Sequence, residues 1–416
     1  MIVIHLLLMC AFCYVCLFSI NKKGGALYLA YKGNPFFVLL AIYMLSAVSS
    51  LFVDQDLLPY FNMAQHSFFS YLIYTASLLV MLAPIVLFKG FKLTSFTLDV
   101  GYGVYFFYLG CSILILFSFV YQVPYALKAI SFGALEVREG LNVDGQGVLP
   151  QSIFTTIAVV TSSFYVVFIF MFFFSLYKDM SLYFKLTMFL GGSLYVVSSL
   201  AFTARDGALF WIFTMFFVFY LFAPVLDEKL VRRFKAILFV GSLGMLFVLA
   251  SFTAQRFFSD GDTDRLLSGT VGYIGQQPYV FAETILKQEQ FYGLDLRFPL
   301  ISSFFGGDGA KVQRYEVYEW TFGTLAKDFY AVNGYFSLVI LVALIALPFT
   351  LYFRKRRVNP VLYLLVMGFY FQLMSTGVFY FRLGTRGGNL YIILFFALMF
   401  VLMLFHSRNS IRREAI

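Results

Sequence analysis

The sequence predicts an all-α integral membrane protein, a single polytopic domain over residues 1–416 with about 11 transmembrane helices. Three observations predict it. Hydrophobic residues make up 61% of the chain and charged residues 12%, a balance that a water-soluble globule does not tolerate. Apolar runs of about 17 to 24 residues recur along the whole length, each able to cross about 30 Å of hydrocarbon as a helix. The runs are continuous and do not alternate with period two, which excludes a β-barrel.

Read in order, the spans fall at about 2–20, 35–53, 68–88, 103–122, 153–176, 186–202, 208–226, 236–255, 332–353, 361–381 and 389–406. Charged residues punctuate them. Lys22 and Lys23 close the first, which lacks the basic n-region of a signal peptide. Lys32 precedes the second, and Lys89 and Lys92 follow the third. Lys178 and Lys185 bracket the turn between the fifth and sixth. Lys229, Arg232, Arg233 and Lys235 separate the seventh and eighth, and Arg354 to Arg357 separate the ninth and tenth. Arg408, Arg412 and Arg413 follow the last. All of these fall on one side, which collects 18 of the 30 basic residues against five of the 21 acids. The positive-inside rule makes that side cytoplasmic, so the N-terminus lies outside and the C-terminus inside. The net charge of +9 is therefore a topology signal and not a nucleic-acid footprint.

Two outer segments are long. Residues 123–152 carry Glu136, Arg138, Glu139 and Asp144, and residues 256–331 form the largest polar region. A loop of the second length is usually functional or partly folded. Its pattern predicts helices over 278–290 and 316–331, the latter lying in the membrane interface.

Nothing in the chain implies a metal or a cofactor. Cys10, Cys13 and Cys16 stand at helical spacing inside an apolar run and read as packing residues. His5, His66 and His406 are far apart in sequence. Asp260 to Asp264 fail the calcium-loop pattern, because Arg265 replaces the turn glycine and Val271 the bidentate glutamate. Gly306 to Lys311 lack the spacing of a phosphate loop.

The interiors of the spans are almost free of charged residues, which argues against an ion-coupled path through the bilayer. The informative charges gather on the outer side. Arg205, Arg256, Arg382 and Arg386 each stand at an outer helix end, where arginine is disfavoured. Guanidinium groups bind phosphate bidentately and stay charged, so fixed arginines there point to an anionic substrate. Arg297, Arg314 and Lys327 in the long loop add to the group. Asp328, with Glu316 and Glu319, supplies candidate general bases for a hydroxyl. Trp320 and Tyr330, with Tyr315 and Tyr318, offer aromatic faces for a sugar ring.

Four segments together resemble the Wzy-type oligosaccharide repeat-unit polymerases of bacterial O-antigen and capsule assembly. They are Ser198 to Phe210 around Arg205, Gln255-Arg256-Phe257, Thr321 to Gly334 through Asp328, and Arg382 to Arg386 before an apolar final helix. The chain departs from the family's Arg-x10-Gly loop pattern, since Phe216 and Leu267 stand where glycine would. The resemblance implies a GT-C-like membrane glycosyltransferase in the bacterial inner membrane, with a periplasmic N-terminus and a cytoplasmic C-terminus. It implies metal-independent transfer of a glycan from undecaprenyl diphosphate on the periplasmic face. Arg205, Arg256, Arg386 and Asp328 would then be catalytic. Arg382, Arg297, Arg314, Lys327, Trp320 and Tyr330 would bind substrate. Its partners would be undecaprenyl-diphosphate-linked glycans, membrane lipids, a chain-length regulator and a flippase, with no nucleic acid. A lipid-linked oligosaccharide flippase and an O-antigen ligase are the competing readings.

Overall fold

The structure, a computed structural model, describes residues 2–17, 35–88, 102–132, 149–150, 152–202, 204, 206–257, 269, 271–288, 291, 293–307, 322–354 and 360–414. For 17, 102, 132, 245–257, 360 and 404–414 it describes the backbone alone. Every regular element among these residues is helical. In chain order they are α1 (Ile2–Leu17), α2 (Phe37–Ser49), α3 (Phe68–Leu87), α4 (Tyr102–Phe132), α5 (Ile153–Ser163), α6 (Tyr165–Tyr177) and α7 (Leu182–Ala201). There follow α8 (Asp206–Phe222), α9 (Glu228–Phe257), α10 (Gln277–Lys287), α11 (Pro299–Ser303), α12 (Thr324–Arg354), α13 (Pro360–Thr376) and α14 (Arg386–Glu414).

Each of the expected spans overlaps a helix among the described residues, though 153–176 is two helices and 361–381 ends in a turn after Thr376. By length and hydropathy, 5 helices among the described residues can cross a membrane, or 6 if α5 and α6 are one bent span. The others are apolar but shorter, such as Asp206–Phe222 and Val361–Thr376. The all-helical, membrane-embedded class expected from composition is what these helices suggest.

One expected span, 153–176, is broken. α5 and α6 meet at 55° around Phe164. The cause is local. The hydroxyl of Thr161 donates back to the carbonyl of Ile157 at 2.8 Å, and Ser162 and Ser163 both donate to Val159 at 2.7 and 3.1 Å. Such back-bonding competes with the helix ladder and, where several hydroxyls cluster, favours a bend.

The chain packs as two compact units, each assembled from separated segments. The first comprises Met1–Phe91, Ala250–Val358 and Tyr370–Asn389. Its helices are tied by buried tyrosines: Tyr43 donates to the carbonyl of Met374 at 2.9 Å and Tyr370 to that of Met81 at 2.8 Å. Apolar surroundings leave a phenol no alternative partner, so these bonds fix which helices touch. The loop helix α10 docks on the end of α2. Tyr279 donates to the carbonyl of Ser50 at 2.9 Å, and Gly275 lies so close to the Ser49 backbone that a Cβ would sit 2.5 Å from it.

The second unit comprises Lys92–Leu249, Asn359–Phe369 and Leu390–Ile416. Adjacent glycines bring its helices together. A Cβ at Gly191 would meet Ile115 of α4 at 2.5 Å, and one at Gly192 would meet Ile169 of α6 at 2.6 Å. Small residues at a crossing let helices approach where no hydrophobic effect drives them. The Ser112 and Thr187 hydroxyls bond across the same α4–α7 seam at 3.0 Å. Tyr165 and Tyr195 stack at 4.4 Å between ring centres, both fully buried.

α12 carries the feature that positions the site. Asn333 (φ −158°, ψ 48°) and Gly334 (φ 62°, ψ −144°) interrupt it, so Thr324–Val332 and Tyr335–Arg354 are two helical halves. The sequence predicts a boundary at 331/332, and the break falls there because only glycine adopts the Gly334 conformation without strain. Ser337 closes it. Its hydroxyl accepts from the Asn333 N–H at 2.8 Å and lies 2.6 Å from the Phe329 carbonyl that it can donate to. Irregular backbone that is buried needs such internal partners.

Candidate functional site

The site lies in the first unit. Three segments build it: the start of α12, the turn that joins α13 to α14, and the stretch from Gly293 through α11.

α12 begins against that turn. The N–H groups of Thr324 and Leu325 have no partner within their own helix. They donate to the carbonyls of Phe379 and Gly377, each at 3.0 Å. Gly377 is required at this approach, since a Cβ there would lie 2.5 Å from the Leu325 side chain. One turn later comes Asp328, buried at 4% exposure. Its Oδ1 pairs with Arg297 Nη2 at 2.6 Å, and its Oδ2 accepts the backbone N–H of Phe381. Both carboxylate oxygens are therefore engaged within the protein. The Arg297 and Asp328 side chains are 10% and 5% exposed, so a full ion pair is withdrawn from water. Such a pair is tolerated only with close geometry and further hydrogen bonds.

Asn389 locks the third segment in place. Fully buried in the first turn of α14, it donates to the carbonyls of Arg297 at 3.2 Å and Leu383 at 2.7 Å. It also accepts the N–H of Leu300 at 3.1 Å. One amide thus joins α14, the turn and α11.

The turn is wound tightly enough to explain its glycines. Gly384 lies against the Arg297 side chain, and a Cβ at Gly388 would meet the Leu383 backbone at 2.6 Å. Thr385 caps α14 by accepting the Gly388 N–H at 3.1 Å. On this rigid turn Arg382 is half-buried and Arg386 is exposed. Arg382 Nη1 stands 3.5 Å from the hydroxyl of Tyr380. Lys327 is buried at 3% exposure, its side chain lying over Gly323. Four cationic residues, Arg297, Lys327, Arg382 and Arg386, are therefore carried by segments that contact one another. Arg382 and Arg386 thus stand four residues apart on one braced turn, the first half-buried and the second exposed.

Tyr330 is also here, but buried at 5% exposure. Its ring packs edge-on against Phe281 at 6.0 Å, Phe291 at 5.8 Å and Tyr335 at 5.1 Å. Arg205, Arg314 and Trp320 lie outside the described residues, as does the side chain of Arg256 at the end of α9. The neighbour of Arg205, Asp206, opens α8 in the second unit and accepts from the Tyr195 hydroxyl at 3.4 Å.

The structure brings together one cluster that sequence reasoning missed. His66 Nε2 lies 2.6 Å from Glu283 Oε2, with side chains 1% and 0% exposed. Lys287 reaches the other Glu283 oxygen at 2.5 Å, and the Asn62 N–H donates to Glu283 at 3.0 Å. His66 Nδ1 meets the Tyr71 hydroxyl at 2.8 Å. Burial by itself raises the Glu283 pKa, but the hydrogen bonds from Lys287, His66 and Asn62 outweigh it and hold the carboxyl below its usual value. The i, i+4 spacing of Glu283 and Lys287 was a readable signal. His66 gave none, its partner being 217 residues away. His5 likewise meets Thr75 at 2.9 Å. Among the described residues no three His, Cys, Asp or Glu gather as metal ligands. Compared with protein-family models, curated proteins and solved structures, the chain matches none.

Proposed function

We propose that this chain is a membrane glycosyltransferase that polymerises undecaprenyl-diphosphate-linked oligosaccharide repeat units into O-antigen or capsule-type polysaccharide. In this reading eleven helices cross the bacterial inner membrane and the site faces the periplasm. One observation carries it: Arg297, Lys327, Arg382 and Arg386 come from segments far apart in sequence, yet these segments are tied together at the ends of apolar helices.

The chemistry follows from that placement. As the glycosidic bond to the carrier breaks, negative charge grows on a lipid diphosphate. Arg386 and Arg382 would stabilise it, and fixed cations in a water-poor site act most strongly where charge develops. Arg297 and Asp328 act on this reading as positioning residues, because Asp328 holds the Phe381 N–H immediately before Arg382. For Asp328 to serve as general base it would have to release one of its two contacts. Deleting the gene should leave single repeat units on the surface glycan and remove the long ladder, and Arg386→Ala should behave like the deletion while protein levels hold. An unchanged ladder would sink the proposal.

A second reading, a lipid-linked oligosaccharide flippase, is favoured by the break in α12 beside buried Lys327 and Asp328. Discontinuous helices with buried charge are common at transport sites. Repeat units stranded on the cytoplasmic leaflet of the deletion strain would select it.

A further inference from the structure

Phe304 and Phe305 are two adjacent, strongly exposed phenylalanines of the first unit. They are 74% and 81% exposed, side by side, just after α11. From Phe298 to Gly307 the chain has no charged residue. The backbone of this tip is satisfied from within. The N–H of Phe304 donates to Ile301 at 3.2 Å, those of Phe305 and Gly307 to Ser302 at 2.8 and 3.1 Å, and that of Gly306 to Ser303 at 3.4 Å. Gly306, at φ 82°, permits the reversal. A tip built this way can leave water without stranding a backbone donor.

Two contacts fix the level at which it sits. Leu300 is bonded to Asn389 in the first turn of α14, whose stretch Arg386–Met403 is long and apolar enough to cross a membrane. Phe291 packs on Gly334, where a Cβ would lie 3.1 Å from its ring. Immediately past Gly334 the apolar half of α12 exposes Phe336 at 69% and Val339 at 67%, the exposure pattern of a surface that faces lipid. Phe291 and the stretch 293–305 are therefore pinned where the apolar stretches of two helices begin.

We propose that Phe304 and Phe305 form an interfacial anchor, seated in the headgroup region of the bilayer. Aromatic rings favour that region, and the nearest carboxylate, Asp295, is held by the Ser302 hydroxyl at the base of the tip. The alternative occupant, a protein partner, fits the patch poorly. Two phenylalanines offer roughly 300–500 Å², whereas a stable interface takes about 800 Å² from each partner. The anchor would hold the Arg297 segment at a constant depth relative to the membrane.

The test uses tryptophan as a depth reporter. Trp211 and Trp320 are the two native tryptophans, and both are replaced by phenylalanine in the full-length chain. Phe305→Trp and, separately, Phe304→Trp are then reconstituted into bilayers. The anchor predicts blue-shifted emission, strong quenching by lipids brominated just below the headgroup, weaker quenching by lipids brominated near the chain end, and little by aqueous iodide. Strong iodide quenching with no effect of brominated lipid at both positions places the tip in water and overturns the proposal. Emission quenched by neither overturns it equally, because a protein surface then covers the tip. Two reporter positions keep the result readable if one variant folds poorly.

Discussion

Arg297 and Asp328 form a buried ion pair, 2.6 Å between Nη2 and Oδ1, that joins the segment before α11 to the first half of α12. Asp328 also holds Phe381, and Arg297 gives its carbonyl to Asn389. The pair is thus the point where the three segments of the site meet, and its loss should be felt in all of them.

Arg297→Ala and Asp328→Ala should each destabilise the protein by about 3–5 kcal/mol, because each leaves the other charge buried and uncompensated. A double replacement by apolar residues, Arg297→Met with Asp328→Leu, should cost less than either single change. Thermal unfolding in detergent or bilayers measures the cycle. Equal and additive losses would show that the pair is not coupled.

Arg386→Ala should leave thermal stability within about 0.5 kcal/mol, the range of ordinary surface substitutions. The side chain is exposed and its helix is capped by Thr385, not by Arg386. The same change should remove glycan polymerisation. Arg386→Lys should fail to restore it, since a point charge does not reproduce a bidentate fork. Stability and glycan ladder are read on the same variant, and rescue by lysine would argue against direct phosphate contact.

Gly334→Ala should destabilise by about 1–3 kcal/mol, the range for a non-glycine residue held in a glycine-only conformation. Contact with Phe291 adds to the strain. Ser337→Ala should also destabilise, by roughly 1–3 kcal/mol, because it orphans the Asn333 N–H inside the break. If α12 straightens instead, electron paramagnetic distances between labels on its two halves would lengthen.

Acid should loosen α10. Glu283 is held below the ordinary glutamate range by Lys287, His66 and Asn62, against the opposing effect of burial. A depressed carboxylate pKa contributes stability that is complete above the unfolded value and is lost as pH falls through the folded one. The docking of α10 should therefore be at full strength above about pH 4.5 as far as this group is concerned and weaken below it. Hydrogen exchange of α10 as a function of pH follows the change, and Glu283→Gln should flatten it.

The class of the fold was legible because long apolar runs admit few solutions in a bilayer. Boundaries that depended on charge or glycine were legible too, as at Gly334 and at the turn through Arg382 and Arg386. The α5–α6 bend was not, since Thr161 to Ser163 can sit in a straight helix as readily as in a bent one. Of the candidate site, Arg382 and Arg386 were readable as charges in unusual places, and Arg297 and Asp328 only as charges of a long polar segment. Their pairing was not, because it depends on contacts across 53 residues from Asp328 to Phe381 and 92 from Arg297 to Asn389. For the same reason His66 looked isolated in sequence and is not isolated in space.

The most direct measurement is elongation by the purified protein in bilayers supplied only with lipid-linked repeat units. The proposed activity predicts a ladder of lengthening glycans on the lipid, release of undecaprenyl diphosphate with each step, and loss of both in Arg386→Ala. Repeat units that remain single in the presence of the folded wild-type protein would contradict it.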